Sequence, residues 1–124
     1  MKYISTVLIL LFLPSLITAA PTMKFTQNIY EDCSSTSTIA CYDRRTDTIW
    51  FDMNIDPVKF QYIFLHEYGH YLTLELPPDQ LIPIFGSDNT YEKAANDFYV
   101  FVAMPPFRTP EKIGFWLPLL NKKI

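Results

Sequence analysis

The segment from Asp56 to Pro78 limits the folds open to this 124-residue chain more than any other. It reads as one helix with clear ends. Asp56 is a good N-cap, and Pro57 suits the first helical position, where its missing N–H costs nothing. Pro77 and Pro78 stop the helix, which predicts a span from Pro57 to Leu74 or Glu75. Within it, His66-Glu67-Tyr68-Gly69-His70 spells H-E-x-x-H. Residues four apart stack on one helical face, so His66 and His70 aim two imidazoles at one point, an arrangement a tetrahedral zinc ion accepts. Glu67, one residue round from His66, can reach a metal-bound water without displacing either ligand.

Two features set this apart from a chance match. The chain has only two histidines, and both fall in the motif. The flanking residues are apolar on most faces: Val58, Tyr62, Leu65, Gly69 and Leu72 form one seam, and Phe60, Phe64, Tyr71 and Leu74 another. Such a helix is expected to be buried. Buried His and Glu side chains need partners, and one dication serves all three. The plainer alternative is a surface helix whose histidines are solvated. Gly69 costs about 1 kcal/mol relative to alanine inside a helix, which marks it as a position where another element crosses closely.

The ends of the chain bound its class. Lys2 followed by the apolar run Ile4–Ile17 and the small residues Thr18-Ala19-Ala20 reads as a signal peptide over residues 1–20, with an uncleaved anchor as the alternative. The expected location is therefore exported, either periplasmic or secreted. Residues 21–124 then form a single domain with no remaining run of about 20 apolar residues to span a membrane. Removing residues 1–20 takes away only Lys2, leaving 9 basic and 13 acidic residues and a net charge of −4. Arg44-Arg45 and Lys122-Lys123 are isolated pairs, so neither nucleic acid nor an anionic membrane is an expected partner. In an exported chain, Cys33 and Cys41 are most simply a disulfide. Free thiols or a second metal site are the alternatives.

Met23–Tyr30 reads as a first strand, and Thr38–Asp43 and Thr48–Met53 as a hairpin around Arg44-Arg45-Thr46-Asp47. Together they predict a small antiparallel sheet, with Ile49, Phe51 and Met53 facing the motif helix. Residues 77–90 read as a linker. A second helix is expected from Tyr91 to Met104, ended by Pro105-Pro106, with Glu92, Ala95, Asn96, Tyr99 and Ala103 on one face. A short apolar segment from Thr109-Pro110-Glu111 to Leu120, limited by Pro118, would cover the core.

Catalytic zinc normally takes three protein ligands and keeps one open position. With no third histidine, the third must be a carboxylate. Glu92 is the candidate, because a helical hairpin returns it towards the motif. Its alternative role is that of a helix N-terminal glutamate favoured by the macrodipole. Glu75 lies more than a turn beyond His70, Glu111 falls in a weakly specified segment, and Asp97 faces away if Glu92 faces in. Asn96, four residues after Glu92, is the candidate for orienting a ligand, with a simple packing position as the alternative.

The run Glu92-Lys93-Ala94-Ala95-Asn96-Asp97-Phe98, followed by an apolar turn and Met104-Pro105, resembles the E-x-x-A-N-x-F…Met-Pro of the ImmA/IrrE-like metallopeptidases. The glycine before His70 is similar to that family's H-E-x-G-H. The resemblance covers roughly residues 48–105. It implies His66, His70 and Glu92 as ligands of one zinc ion and Glu67 as the catalytic acid/base. It also implies an α+β fold, a minimal zincin of the gluzincin type with a small antiparallel sheet, an active-site helix and a second helix carrying the third ligand. The implied activity is hydrolysis of peptide bonds in a peptide or protein by a zinc-activated water with Glu67 as general base. Members are typically intracellular, often beside a DNA-binding domain. This chain differs in its expected leader and its cysteines, in which it resembles small secreted metallopeptidase-like proteins. A non-catalytic zinc-binding or protein-interaction module of the cell envelope is the competing expectation. So small a domain predicts a shallow groove along the sheet edge, with an extended peptide beside Ile49–Met53.

Overall fold

A computed structural model describes residues 20–33 and 39–123; the leader expected over residues 1–20 lies outside them except for Ala20. The domain is α+β. Three strands, β1 (Thr22–Thr26), β2 (Ala40–Asp43) and β3 (Thr48–Asp52), form one sheet. Five helices accompany it: α1 (Ile29–Cys33), α2 (Pro57–Thr73), α3 (Pro78–Phe85), α4 (Thr90–Ala103) and α5 (Pro110–Lys123), with a 3-10 turn at Pro105–Phe107. No helix among the described residues is long and apolar enough to cross a membrane.

The sheet order is β1-β3-β2 and the sheet is mixed. β2 and β3 form the expected antiparallel hairpin, closed by a turn in which Asp47 adopts φ 52°. β1, however, runs parallel to β3, pairing Thr22 with Thr48 through Thr26 with Asp52. That corrects the expected all-antiparallel sheet. The connection through α1 and β2 is long enough for the crossover that a parallel pair needs. β1 also ends at Thr26 rather than Tyr30. Asn28 caps α1, its Oδ1 accepting from the Glu31 N–H at 3.2 Å, and its own N–H donates to Thr26 Oγ1 at 3.0 Å. The Asn28-x-x-Glu31 spacing is a helix-start signal set inside a strand-like run.

Alternation along the strands decides which layer each residue joins. Ala40, Ile49 and Phe51 are buried on the face packed against Phe60, Ile63 and Phe64 of α2. Met53 lies beyond the end of β3 and is exposed rather than facing the helix. On the other face, Cys41 and Trp50 meet Ile29 and Cys33 of α1. The Cys33–Cys41 disulfide ties α1 to β2.

α2 begins as its cap predicts, with the Asp56 carboxylate accepting from the Val58 N–H at 3.0 Å. It is not buried all round. Val58 is 89% exposed and Tyr62 44% exposed, because the sheet and α4 cover only part of the first two turns. The C-terminal half is the buried one, with Leu65, Tyr71 and Leu72 packed against Ala94, Phe98 and Phe101 of α4 and Trp116 of α5. The crossing of α2 and α4 is tight. A Cβ placed on Gly69 would lie 2.8 Å from the Ala95 Cα and 3.2 Å from the Ala95 carbonyl oxygen. This is the close approach expected at that glycine.

Two C-terminal segments differ from expectation. Residues 78–85 form α3, with Pro78 at its first position and Gly86 (φ 88°) after its end, the Gly86 N–H donating to the Ile82 carbonyl at 2.8 Å. That is the Pro-first, Gly-last arrangement of a short helix, and three prolines disguised it as a linker. α5 continues through Pro118 to Lys123. Proline there removes one hydrogen bond but leaves the helix continuous, held by the buried Trp116, whose Nε1–H donates to Asp97 Oδ2 at 2.9 Å. Lys112 Nζ donates to the other Asp97 oxygen at 2.8 Å.

The two helical glycines give opposite expectations. Gly69→Ala should destabilise the domain by about 1–3 kcal/mol in denaturant titrations, because backbone must move to admit the methyl group. Gly114→Ala, where an added Cβ meets nothing within 4 Å, should stabilise it by up to about 1 kcal/mol. Equal effects at both positions would contradict the close crossing.

Candidate metal centre

The α2–α4 crossing sets the position of three side chains. His66 and His70 lie one turn apart on α2, and Glu92 lies in the first turn of α4, two helix positions ahead of the contact at Ala94 and Ala95. His66 Nε2 and His70 Nε2 are 3.1 Å apart. Glu92 Oε2 is 3.1 Å from His66 Nε2, and Glu92 Oε1 is 3.0 Å from His70 Nε2. Among the described residues, these three form a group whose ligand atoms could hold a metal ion.

The donor set suits a small dication. Metal–nitrogen bonds of about 2.0–2.1 Å at tetrahedral angles separate ligand atoms by about 3.3 Å, close to all three distances. At this range the two imidazole nitrogens either share a hydrogen bond, one of them carrying the ring proton, or turn both lone pairs to a cation between them. Burial lowers the His70 pKa, the Glu92 carboxylate opposing and the His66 ring adding to the effect, so the charged imidazolium is disfavoured there. Neutral imidazole is also the form that ligates. The group opens to solvent through Glu92, whose side chain is 59% exposed, whereas those of His66 and His70 are 17% and 21% exposed.

Asn96 lies beside the group as the spacing suggested. His66 Nδ1 is 2.7 Å from Asn96 Oδ1. The amide oxygen can only accept, so Nδ1 carries the proton and the Nε2 lone pair is left for a metal. Tyr62 OH donates to the same oxygen at 3.0 Å, and its ring meets Tyr99 edge-on at 4.9 Å. Tyr62 is four residues before His66, a spacing that placed it on the ligand face, but the seam around it read only as core.

Glu67 turns towards the sheet and is buried. Burial pushes its pKa up to about 7; the His66 ring pulls it down, the Glu92 charge raises it, and the Tyr42 backbone N–H, donating to the carboxylate, lowers it. That N–H faces the site because Ile39 accepts from the Asp52 N–H at 2.9 Å, and antiparallel alternation then turns the main-chain groups of Ala40 and Tyr42 away from β3. No sequence signal marks Tyr42, since the contact depends on how the sheet docks.

These residues line a cleft of about 460 Å³ between β2 and α2 that contains His66, Glu67, His70 and Glu92. Cys41 borders it, while its disulfide with Cys33 lies on the opposite face of the sheet, against α1. The other acidic candidates are elsewhere. Asp97 faces α5, Glu75 lines a neighbouring cleft, and Glu111 starts α5. The tyrosines near the ligands have other partners: Tyr91 OH donates to the Leu76 carbonyl at 2.6 Å, Tyr99 packs on Tyr62, and Tyr68 and Tyr71 meet edge-on. The strand next to the site is β2. β3 is flanked on both sides, so an extended peptide cannot pair with Ile49–Met53 as expected from sequence.

Comparison with protein-family models, curated proteins and solved structures gave no match.

Zinc titrated into the full chain against a chromophoric chelator is expected to bind one-to-one and to be lost in His66→Ala. Asn96→Ala should weaken binding by about 10- to 100-fold through the misoriented His66 ring. Unchanged affinity in Asn96→Ala would remove Asn96 from the centre.

Proposed function

We propose that this chain is an exported zinc-dependent peptidase of minimal zincin type. The observation that carries the reading is Glu67. It is a buried carboxyl, pushed towards neutrality, in the cleft that holds His66, His70 and Glu92, and among the described residues no lysine or arginine pairs with it. A group that served only to fix a metal would gain nothing from an additional buried carboxyl beside it. The E-x-x-A-N-x-F resemblance at Glu92–Phe98 supports the same ligand set, and the Cys33–Cys41 disulfide supports an oxidising destination.

Zinc bound to this group would supply a Lewis acid for the substrate carbonyl and an acidified water. The chain's own residues account for the remaining steps. Asn96 keeps the His66 ring in its ligating orientation. Glu67, hydrogen-bonded to the Tyr42 N–H, takes a proton from the attacking water as the new carbon–oxygen bond forms. The same carboxyl returns that proton to the leaving amine as the carbon–nitrogen bond breaks. The cleft that runs along β2 past the metal group gives an extended peptide a bed on which to lie.

Glu67→Gln preserves shape and removes the base. It should retain one zinc per chain and lose about 10²- to 10⁴-fold in peptide hydrolysis. Hydrolysis at the wild-type rate in the zinc-loaded variant would sink the catalytic reading and favour the alternative, a zinc-binding or protein-interaction module.

A further inference from the structure

The central cleft continues at both ends into smaller clefts of opposite chemistry. At one end a cleft of about 180 Å³ shares Ala40, His66 and Glu67 with it and is otherwise walled by Ile39, Tyr62 and Ile63. At the other end a cleft of about 290 Å³ shares Tyr42 and Leu74 with it and adds Tyr71, Asp47, Glu75 and Arg44. The three clefts follow β2, from Ile39 past the metal group to the hairpin turn. An extended peptide advances about 3.4 Å per residue, so one lying along these clefts would present different side chains to the two ends.

We propose that the hairpin-end cleft is a subsite for a lysine or arginine side chain, and that the chain therefore acts on peptides with a basic residue on one flank of the cleaved bond and an apolar residue on the other. This deepens the peptidase reading and rests on it. The rings of Tyr42 and Tyr71 meet edge-on at 5.8 Å and form the aromatic wall of the cleft. Such walls take the methylene stem of a long basic side chain and attract its charge. Asp47 and Glu75 supply two carboxylates against the single guanidinium of Arg44, leaving one net negative charge. The Asp47 carboxylate is oriented by the Tyr42 hydroxyl, which donates to its Oδ1 at 2.5 Å. At the opposite end, Ile39, Tyr62 and Ile63 present no charged side chain, which suits an apolar residue.

The test uses acetylated, amidated heptapeptides in which one leucine is fixed and lysine, glutamate or alanine is walked through the positions on either side. Binding is read on the zinc-loaded full chain carrying Glu67→Gln, and cleavage on the zinc-loaded wild type by mass spectrometry of products. Lysine peptides are expected to bind about tenfold more tightly than glutamate peptides at one spacing from leucine. Glu75→Lys, at an exposed position after α2, should abolish or invert that preference, and Asp47→Asn, which tolerates the left-handed turn, should weaken it. Equal binding of the three series, or a preference for glutamate that places Arg44 in control, would overturn the subsite. The two readings fail separately. Cleavage without regard to lysine would remove the subsite and keep the peptidase, whereas lysine-selective binding without cleavage by the wild type would keep the subsite and remove the peptidase.

Discussion

The contact of α2 with α4 at Gly69 and Ala95 governs the rest of the molecule. With no side chain at Gly69 and only a methyl at Ala95, the two backbones approach until a further Cβ would overlap. Only at that separation does the first turn of α4 bring Glu92 to 3.0 and 3.1 Å from the two histidines. The same approach brings Asn96, one turn further along α4, to the far nitrogen of His66. A larger residue at either position would push α4 outwards and move both groups together.

The opposite side of α2 is set by the sheet. Ile49, Phe51 and Ala40 pack on Phe60, Ile63 and Phe64, and this docks β2 close enough for the Tyr42 N–H to reach Glu67. The helix thus turns its histidines towards α4 and its glutamate towards the strand edge. Burial raises the affinity of Glu67 for a proton, and a single backbone donor keeps the carboxylate oriented. The disulfide between Cys33 and Cys41 holds α1 to the strand that provides this donor, so it supports the cleft as well as the small core.

Much of this was legible in local pattern. The cap at Asp56, the H-E-x-x-H spacing and the return of Glu92 and Asn96 on one helical face all follow from a period of 3.6 residues and from proline and capping chemistry. Where local signals conflicted, expectation failed. Asn28-x-x-Glu31 ended a run that looked like a strand, and prolines at 77, 78 and 83 hid the two turns of α3. Apolar pattern alone also overstated burial of α2, since Val58 and Tyr62 match the seam but extend past the elements that cover it.

The sequence by itself determined the group of residues that could bind a metal, because helical spacing and a glycine at the crossing are local properties. Tertiary structure alone decided the direction of β1, the central position of β3, and the presentation of β2 to the site. Those depend on which edges pair and which faces dock, and each is settled by contacts between residues far apart in the chain. The Tyr42 N–H on Glu67 and the joined clefts along β2 belong to that second kind. A backbone donor is present at every residue but proline, so only its placement beside a buried carboxyl distinguishes the one that matters.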